Sequence, residues 1–163
     1  MSYSYDNLYD ASQYGDHELL KKIIDSGLNI DNADDMGRTA LIFAASELQF
    51  NCVKLLIDSG CNVNKMTILG ETALQACLHN CYKDASLEIV EILINSGTNL
   101  DNLDKICNSA LTHGFINDKI RKLLLDGGAN PNLKTQMKNP GYDKIPKKSK
   151  LDEEFEAQID EEF

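Results

Sequence analysis

The chain repeats the phrase GDHELLKKIIDSGLNID (Gly15–Asp31) 33 residues later as LQFNCVKLLIDSGCNVN (Leu48–Asn64). Two shorter copies follow as SLEIVEILINSGTNLD (Ser86–Asp101) and NDKIRKLLLDGGANPN (Asn117–Asn132). Apolar residues in each copy recur at the spacing of a helix with one wide buried face. A glycine follows each run, which suits the left-handed cap at a helix C-terminus. The phrase therefore predicts one short helix in each of four repeats.

A second phrase precedes every copy after the first. It reads GRTALIFAA from Gly37, GETALQACL from Gly70 and CNSALTHGF from Cys107. Its hydroxyl residues Thr39, Thr72 and Ser109 stand where a side-chain oxygen can cap a helix N-terminus. Small residues follow them and allow close helix packing, and the polar stretch before each phrase indicates a turn. Each repeat thus contains a turn and two helices.

One such repeat cannot bury its own apolar face, so the four copies must stack. We expect an all-α repeat solenoid of about four helix-turn-helix repeats with short hairpin-like turns.

The two phrases and the 33-residue period closely resemble the ankyrin-repeat family, whose repeat carries Thr-Pro-Leu-His-x-Ala-Ala and then a leucine run ending in Gly-Ala. The resemblance covers roughly residues 7–133. The family's proline slot holds Ala40, Ala73 and Ala110, and its histidine slot holds Ile42, Gln75 and Thr112. These replacements predict weaker threonine–histidine hydrogen bonding than a consensus repeat has.

The repeat register divides the chain into six parts. They are an N-terminal capping repeat at 1–33, repeats at 34–66, 67–103 and 104–133, a basic linker at 134–150 and an acidic amphipathic tail at 151–163. The third repeat has an enlarged loop between its helices, starting near His79. This loop is either tolerated drift, because surface loops accept insertions at low cost, or a contact with a partner.

The last two parts differ in charge. Residues 134–150 hold six lysines and one aspartate, whereas residues 151–163 hold seven acids and no base. Leu151, Phe155, Ile159 and Phe163 recur every four residues of the acidic part. This part can be a helix that caps the fourth repeat, a disordered tail, or a segment that folds on a partner.

The composition favours a cytoplasmic protein. The chain has 163 residues and a net charge of -10, and the longest apolar runs are too short to span a bilayer. The N-terminal MSYSYDNLYD lacks the basic and apolar regions of a secretory signal. Five cysteines, an odd number without a pairing pattern, predict thiols in a reducing compartment. The negative charge disfavours direct nucleic-acid binding.

The sequence contains no pattern that predicts an enzyme. Neither of the glycine-rich phosphate-binding motifs GxGxxG and GxxxxGK(S/T) occurs. The three histidines, His17, His79 and His113, stand in no recognisable catalytic setting. Cys77 and Cys81 share a helix face, but a zinc site needs four ligands. Cys77 also takes a slot that is alanine in the second repeat, so we interpret it as a packing residue. We expect no cofactor and no metal.

The ankyrin resemblance implies binding of another protein through the turn tips and the concave face. Met36, Ile68, Leu69 and Ile106 are apolar residues on turns that are expected to be polar. They either form an exposed stripe across adjacent tips or pack on the neighbouring tip. The expected partner-binding residues are Asp35, Met36 and Arg38; Ile68, Leu69 and Glu71; Lys105, Ile106 and Asn108 at the tips; and Ser46, Glu47, His79, Asn80, Ile116 and Asn117 in the groove.

Three functions are compatible with this surface. The first is a non-enzymatic adaptor or inhibitor that binds one partner protein. It is expected to be a monomer before it binds. The second is an acidic immunity or anti-defence inhibitor of a basic, nucleic-acid-processing enzyme, since the charge favours association with a basic partner. The third is a structural subunit of a larger assembly.

Overall fold

The computed structural model describes residues 3–80, 85–103, 109–111 and 116–133. Over these residues the chain forms helices joined by turns, with two isolated β-bridges and no longer strand. The helices are α1 (Tyr5–Tyr14), α2 (His17–Asp25), α3 (Ala40–Ser46), α4 (Phe50–Asp58), α5 (Ala73–Leu78), α6 (Ala85–Asn95) and α7 (Asp118–Asp126). This confirms the predicted all-α repeat solenoid in the described part of the chain.

The hydroxyl caps start the first helices of the repeats as the sequence predicts. Thr39 Oγ1 accepts a hydrogen bond from the Ile42 amide at 3.4 Å at the start of α3. Thr72 caps α5 in the same way, and the Thr72 amide in turn donates to Gln75 Oε1 at 3.0 Å. Ser109 leads into a turn that reaches Leu111, and residues 112–115, where the predicted helix would continue, lie outside the described residues.

The second helices end at the glycines that the repeat places there. Gly27, Gly60, Gly97 and Gly128 all have a positive φ, between 79° and 94°. A side chain would be strained in this left-handed conformation, so glycine is the residue that fits. The predicted glycine caps are therefore confirmed in all four copies.

The helices form two layers. In the inner layer α3 packs between α1 and α5, and in the outer layer α4 packs between α2 and α6, with α7 beyond α6. Ala40, Ala44 and Ala45 on α3 are fully buried. Small side chains let the inner helices approach closely, whereas the larger Leu20, Leu56 and other aliphatic residues fill the space between the layers.

Hairpin-like turns connect the repeats on one side of the stack. Antiparallel bridges close these turns between Ala33 and Thr39 and between Met66 and Thr72. The two turns touch, because a Cβ on Gly37 would lie 3.0 Å from the Ile68 nitrogen. Glycine at position 37 thus serves both the positive φ and the close approach.

A ladder of Asn and Asp side chains connects the repeats on the other side. In each loop after a second helix, one of these side chains accepts a bond from the backbone amide of the next repeat. We call these contacts the Asx ladder; they join Asp31 to Asn62 (2.8 Å), Asn64 to Asn99 (2.7 Å) and Asp101 to Asn130 (2.8 Å). The ladder runs through all four repeats in the same register.

The histidine slot keeps a polar contact in two repeats. Gln75 Nε2 donates to the Asn102 carbonyl at 3.4 Å, and Asn102 Nδ2 donates to Gln75 Oε1 at 3.3 Å. Tyr9, at the same slot of the first repeat, accepts a bond from Asn32 Nδ2 at 2.8 Å. Only Ile42 in the second repeat lacks a polar group among these three. The predicted weakening of the hydrogen bonding therefore applies to the second repeat, while Gln75 and Tyr9 supply substitute bonds.

We predict that Asn64→Ala lowers the free energy of unfolding by about 1–2 kcal/mol, because it removes the bonds to the Asn99 amide and to the Gly97 carbonyl. Urea denaturation followed by circular dichroism measures this change. Lys54→Ala is the control, since it removes only an exposed ion pair with Asp58 and should cost at most about 0.5 kcal/mol. Equal effects of the two substitutions would contradict a stabilising role of the ladder.

Candidate partner-binding surface

Four apolar side chains are exposed on the turns of the second and third repeats. Met36 is 44% exposed, Met66 49%, Ile68 49% and Leu69 55%. We call these four residues the tip patch. Met66 was missed in the sequence because it stands just before the turn. Its place in the repeat could have identified it, because it stands two and three positions before Ile68 and Leu69, which the sequence predicted to be exposed.

The two tips are joined by the backbone. The Ile68 amide donates a hydrogen bond to the Met36 carbonyl at 2.9 Å, although these residues are 32 positions apart in the sequence. Contact with the neighbouring tip and exposure of the side chains, which the sequence left as alternatives, thus occur together. The backbone bond holds the apolar side chains side by side while about half of each surface stays accessible.

Arg38 lies next to the tip patch in a fixed orientation. Its Nε and Nη2 both contact Asp34 Oδ2, at 2.8 and 2.7 Å. The guanidinium also lies over the Phe43 ring, 4.5 Å from its centroid. Phe43 packs in turn on Tyr9 of the first repeat, with 5.4 Å between the ring centroids. Ion pairing and cation–π contact therefore hold a half-exposed cation beside the tip patch.

Asp34 is the centre of this turn. Its Oδ1 accepts bonds from the Met36 amide at 3.0 Å and the Arg38 amide at 2.8 Å. Burial acts to raise the pKa of the Asp34 carboxyl, but the hydrogen bonds and charge of Arg38, with the Met36 amide, outweigh it and lower the pKa below the ordinary 3.8. The folded turn thus stabilises the charged form of Asp34.

The predicted groove residues of the second and third repeats form contacts across the stack. Asn80 Nδ2 donates to the Ser46 carbonyl at 2.7 Å, at the C-terminal end of α3. His79 Nε2 pairs with Glu71 Oε1, which joins a tip residue to the end of α5. Glu47 is exposed beside Ser46. The structure brings these five residues together on one side of the two repeats.

The remaining predicted residues are in the fourth repeat. Asn117 is the N-cap of α7, where its Oδ1 accepts from the Ile120 amide at 2.9 Å. Ile116 is half-buried against the core. Lys105, Ile106 and Asn108 lie outside the described residues, as do residues 81–84 of the enlarged loop.

Tyr14 is a second exposed residue that the sequence reading passed over. It is 75% exposed, and the 33-residue register places it at the position of Glu47 in the next repeat. The sequence predicted a capping role for the first repeat, at residues 1–33, and no partner-binding residue in it. A tyrosine there extends the candidate surface to the first repeat, because aromatic side chains are frequent interface anchors.

The three cysteines that the structure describes, Cys52, Cys61 and Cys77, do not contribute reactive groups to this surface. Cys77 is fully buried and its thiol contacts the Ser86 carbonyl at 3.8 Å, as expected of a packing residue. Burial, with Asp16 and Asp31 as neighbouring charges, raises the pKa of Cys52 to about 11 and that of Cys61 to about 12. Both stay protonated at neutral pH. Within the described residues no three potential metal ligands cluster together.

The helices of the described residues differ from membrane-spanning helices in length and composition. None of them combines the length and the apolar character that a bilayer crossing needs.

We predict that Asp34→Asn destabilises the protein at pH 7 and that this difference disappears in acid. Because the folded-state pKa is lowered, the stabilisation is complete above the ordinary pKa of 3.8 and is lost as the pH falls through the folded-state value. Thermal melts of both proteins between pH 7 and pH 2 measure the difference. Asp35→Asn, at the exposed neighbouring position, is the control that should change stability little. A pH-independent difference for Asp34→Asn would contradict the role of its charge.

The chain was compared with protein families and with curated proteins. A family model described as ankyrin repeats, in three copies, matches residues 8–104. This is more than half of the 163 residues and includes most of α1 and all of α2 to α6. The match ends at residue 104, so α7 and the remainder of the fourth repeat lie beyond it. The search of the curated proteins gave no match. The chain belongs to the ankyrin-repeat family.

Proposed function

We propose that this protein acts by binding another protein through the tip patch and the adjoining concave face, as an adaptor or an inhibitor. Ankyrin repeats generally mediate protein–protein interaction. The observation that carries the proposal is the tip patch itself, with four apolar side chains 44–55% exposed on two adjacent turns. When a partner covers a grouped apolar surface of this kind, apolar area is removed from water and the complex is stabilised.

The neighbourhood of the tip patch supports the same proposal. Arg38 is already ordered by Asp34 and Phe43, so a partner that contacts it does not have to restrict its side chain again. Met36 and Met66 have unbranched, adaptable side chains that can follow the shape of a partner. Rigid and adaptable contacts thus occur side by side. A cytoplasmic location, predicted from the odd, unpatterned set of cysteines, remains part of this proposal.

We predict that Met36→Asp combined with Leu69→Asp abolishes partner binding and leaves the fold intact. Two charges in the tip patch would have to be desolvated on binding, whereas both positions are exposed in the free protein. Affinity capture from the native cell with quantitative mass spectrometry identifies the partner, and titration calorimetry with that purified partner then measures the affinity.

The control is Leu125→Asp, which places one of the two added charges on α7 instead, at a position 41% exposed. Circular dichroism spectra of all variants should be alike. Unchanged affinity of the Met36→Asp, Leu69→Asp protein would refute the tip patch as the binding surface.

A second candidate function is inhibition of a basic, nucleic-acid-processing enzyme. Among the described candidate residues, Asp35, Glu47 and Glu71 are carboxylates, while the permanent cation Arg38 is paired with Asp34. The whole chain carries a net charge of -10. An acidic concave face would attract a basic partner and compete with a phosphate backbone for it.

This candidate predicts that the association rate with the partner falls steeply as salt increases, because the screening length shrinks from about 10 Å at 0.1 M to about 3 Å at 1 M. Stopped-flow or surface plasmon resonance measurements at several salt concentrations test it. Glu47→Gln combined with Asp35→Asn should slow association more than Asp58→Asn, which lies on α4. A partner that is itself acidic would exclude this function.

A further inference from the structure

The outer surface of α6 differs in charge from the other second helices. Counted back from the glycine caps, the position of Glu91 holds a lysine in each of the other three repeats. These lysines are Lys21, Lys54 and Lys122, and an aspartate follows each of them four residues later. Lys54 Nζ and Asp58 Oδ2 are 2.9 Å apart in α4. In α6 the same two positions are Glu91 and Asn95, and the helix contains no lysine or arginine.

This change coincides with a depression in the surface between α4 and α6. The depression, which we call the α6 notch, is lined by Phe50, Glu88, Glu91, Ile92 and Asn95. Phe50 and Ile92 are partly buried against the core, whereas the two glutamates are exposed. An apolar floor beside two carboxylates suits a lysine side chain, whose methylene stem packs on apolar groups while its ammonium stays among charges and water.

The chain itself carries a segment with this chemistry. Residues 134–150, which lie outside the described residues, contain six lysines and one aspartate. They follow Leu133, shortly after α7, and α7 packs on α6. Helix α7 carries three exposed cations, Lys119, Arg121 and Lys122, against two exposed aspartates, so its net positive charge disfavours the binding of lysines there. The next helix, α6, offers the glutamates.

We propose that the lysine-rich segment 134–150 binds the α6 notch of its own chain, with lysine stems on Phe50 and Ile92 and ammonium groups beside Glu88 and Glu91. The distance is within reach, because each extended residue spans about 3.3 Å and packed helices lie only about 8–10 Å apart. A single exposed ion pair is weak. Tethering compensates for this, since a short linker gives an effective concentration in the millimolar range.

The first test couples lysines directly to carboxylates in the full-length protein with a zero-length carbodiimide at low salt. Peptide mapping by mass spectrometry should find lysines of 134–150 joined to Glu88 and Glu91. The internal control is Glu18 on α2, which is exposed and has the same register in its repeat as Glu88. Coupling at Glu88 and Glu91 that is no more frequent than at Glu18 would overturn the proposal.

The second test uses variants and a different chemistry. Lys54 is one turn from Phe50 on α4, so an amine-to-amine cross-linker should join it to lysines of 134–150. Glu88→Gln combined with Glu91→Gln should reduce these cross-links to the level seen for Lys21 on α2, while Glu18→Gln should leave them unchanged. Salt at 1 M should act like the double substitution, because the distance over which charges attract each other then shortens to about 3 Å.

Cross-linking of a mixture of isotopically labelled and unlabelled protein distinguishes cross-links within one chain from cross-links between two chains. Cross-links within one isotopic form support the proposal, and cross-links mainly between labelled and unlabelled chains overturn it in favour of a second copy as the occupant. Circular dichroism verifies that the variants fold. Persistence of the Lys54 cross-links in the Glu88→Gln, Glu91→Gln protein would equally overturn it. These outcomes are independent of partner binding at the tip patch.

Discussion

Contact between adjacent repeats is the constraint on which the rest of this structure depends, because two short helices cannot bury their apolar faces alone. The contact is most extensive at α3, where Ala40, Ala44 and Ala45 are fully buried between α1 and α5. The Asx ladder adds a directional bond at each step between repeats. Apolar burial thus drives the stacking, and the hydrogen bonds fix its register.

The same stacking creates the candidate binding surface. The hairpin turns of the second and third repeats lie against each other because Gly37 leaves room for the backbone of Ile68. Met36 and Leu69 therefore belong to one tip patch although a whole repeat separates them in the sequence. Arg38 is likewise ordered by a ring that rests on the preceding repeat, through Phe43 and Tyr9. A surface that crosses repeats is a product of the stack.

Part of this surface was predictable from the sequence. Apolar residues in a turn are anomalous wherever they occur, so Met36, Ile68 and Leu69 could be selected without a structure. The groove residues Ser46 and Asn80 were also selected, but their bond to each other was not, because an amide and a carbonyl 34 residues apart leave no pattern. Position in the repeat identifies an exposed residue, whereas its bonding partner depends on the neighbouring repeat.

The sequence by itself determined the repeat, the helix starts at Thr39 and Thr72, and the glycine ends such as Gly60, because these are local effects of capping and backbone conformation. Only the tertiary structure decided which slots remain hydrogen-bonded. Tyr9 and Gln75 differ from the family's histidine, yet each meets an asparagine near the end of its own repeat, Asn32 and Asn102. The reason is physical: a cap acts within one turn of the chain, whereas these bonds join residues more than 20 positions apart, which only the folded chain brings together.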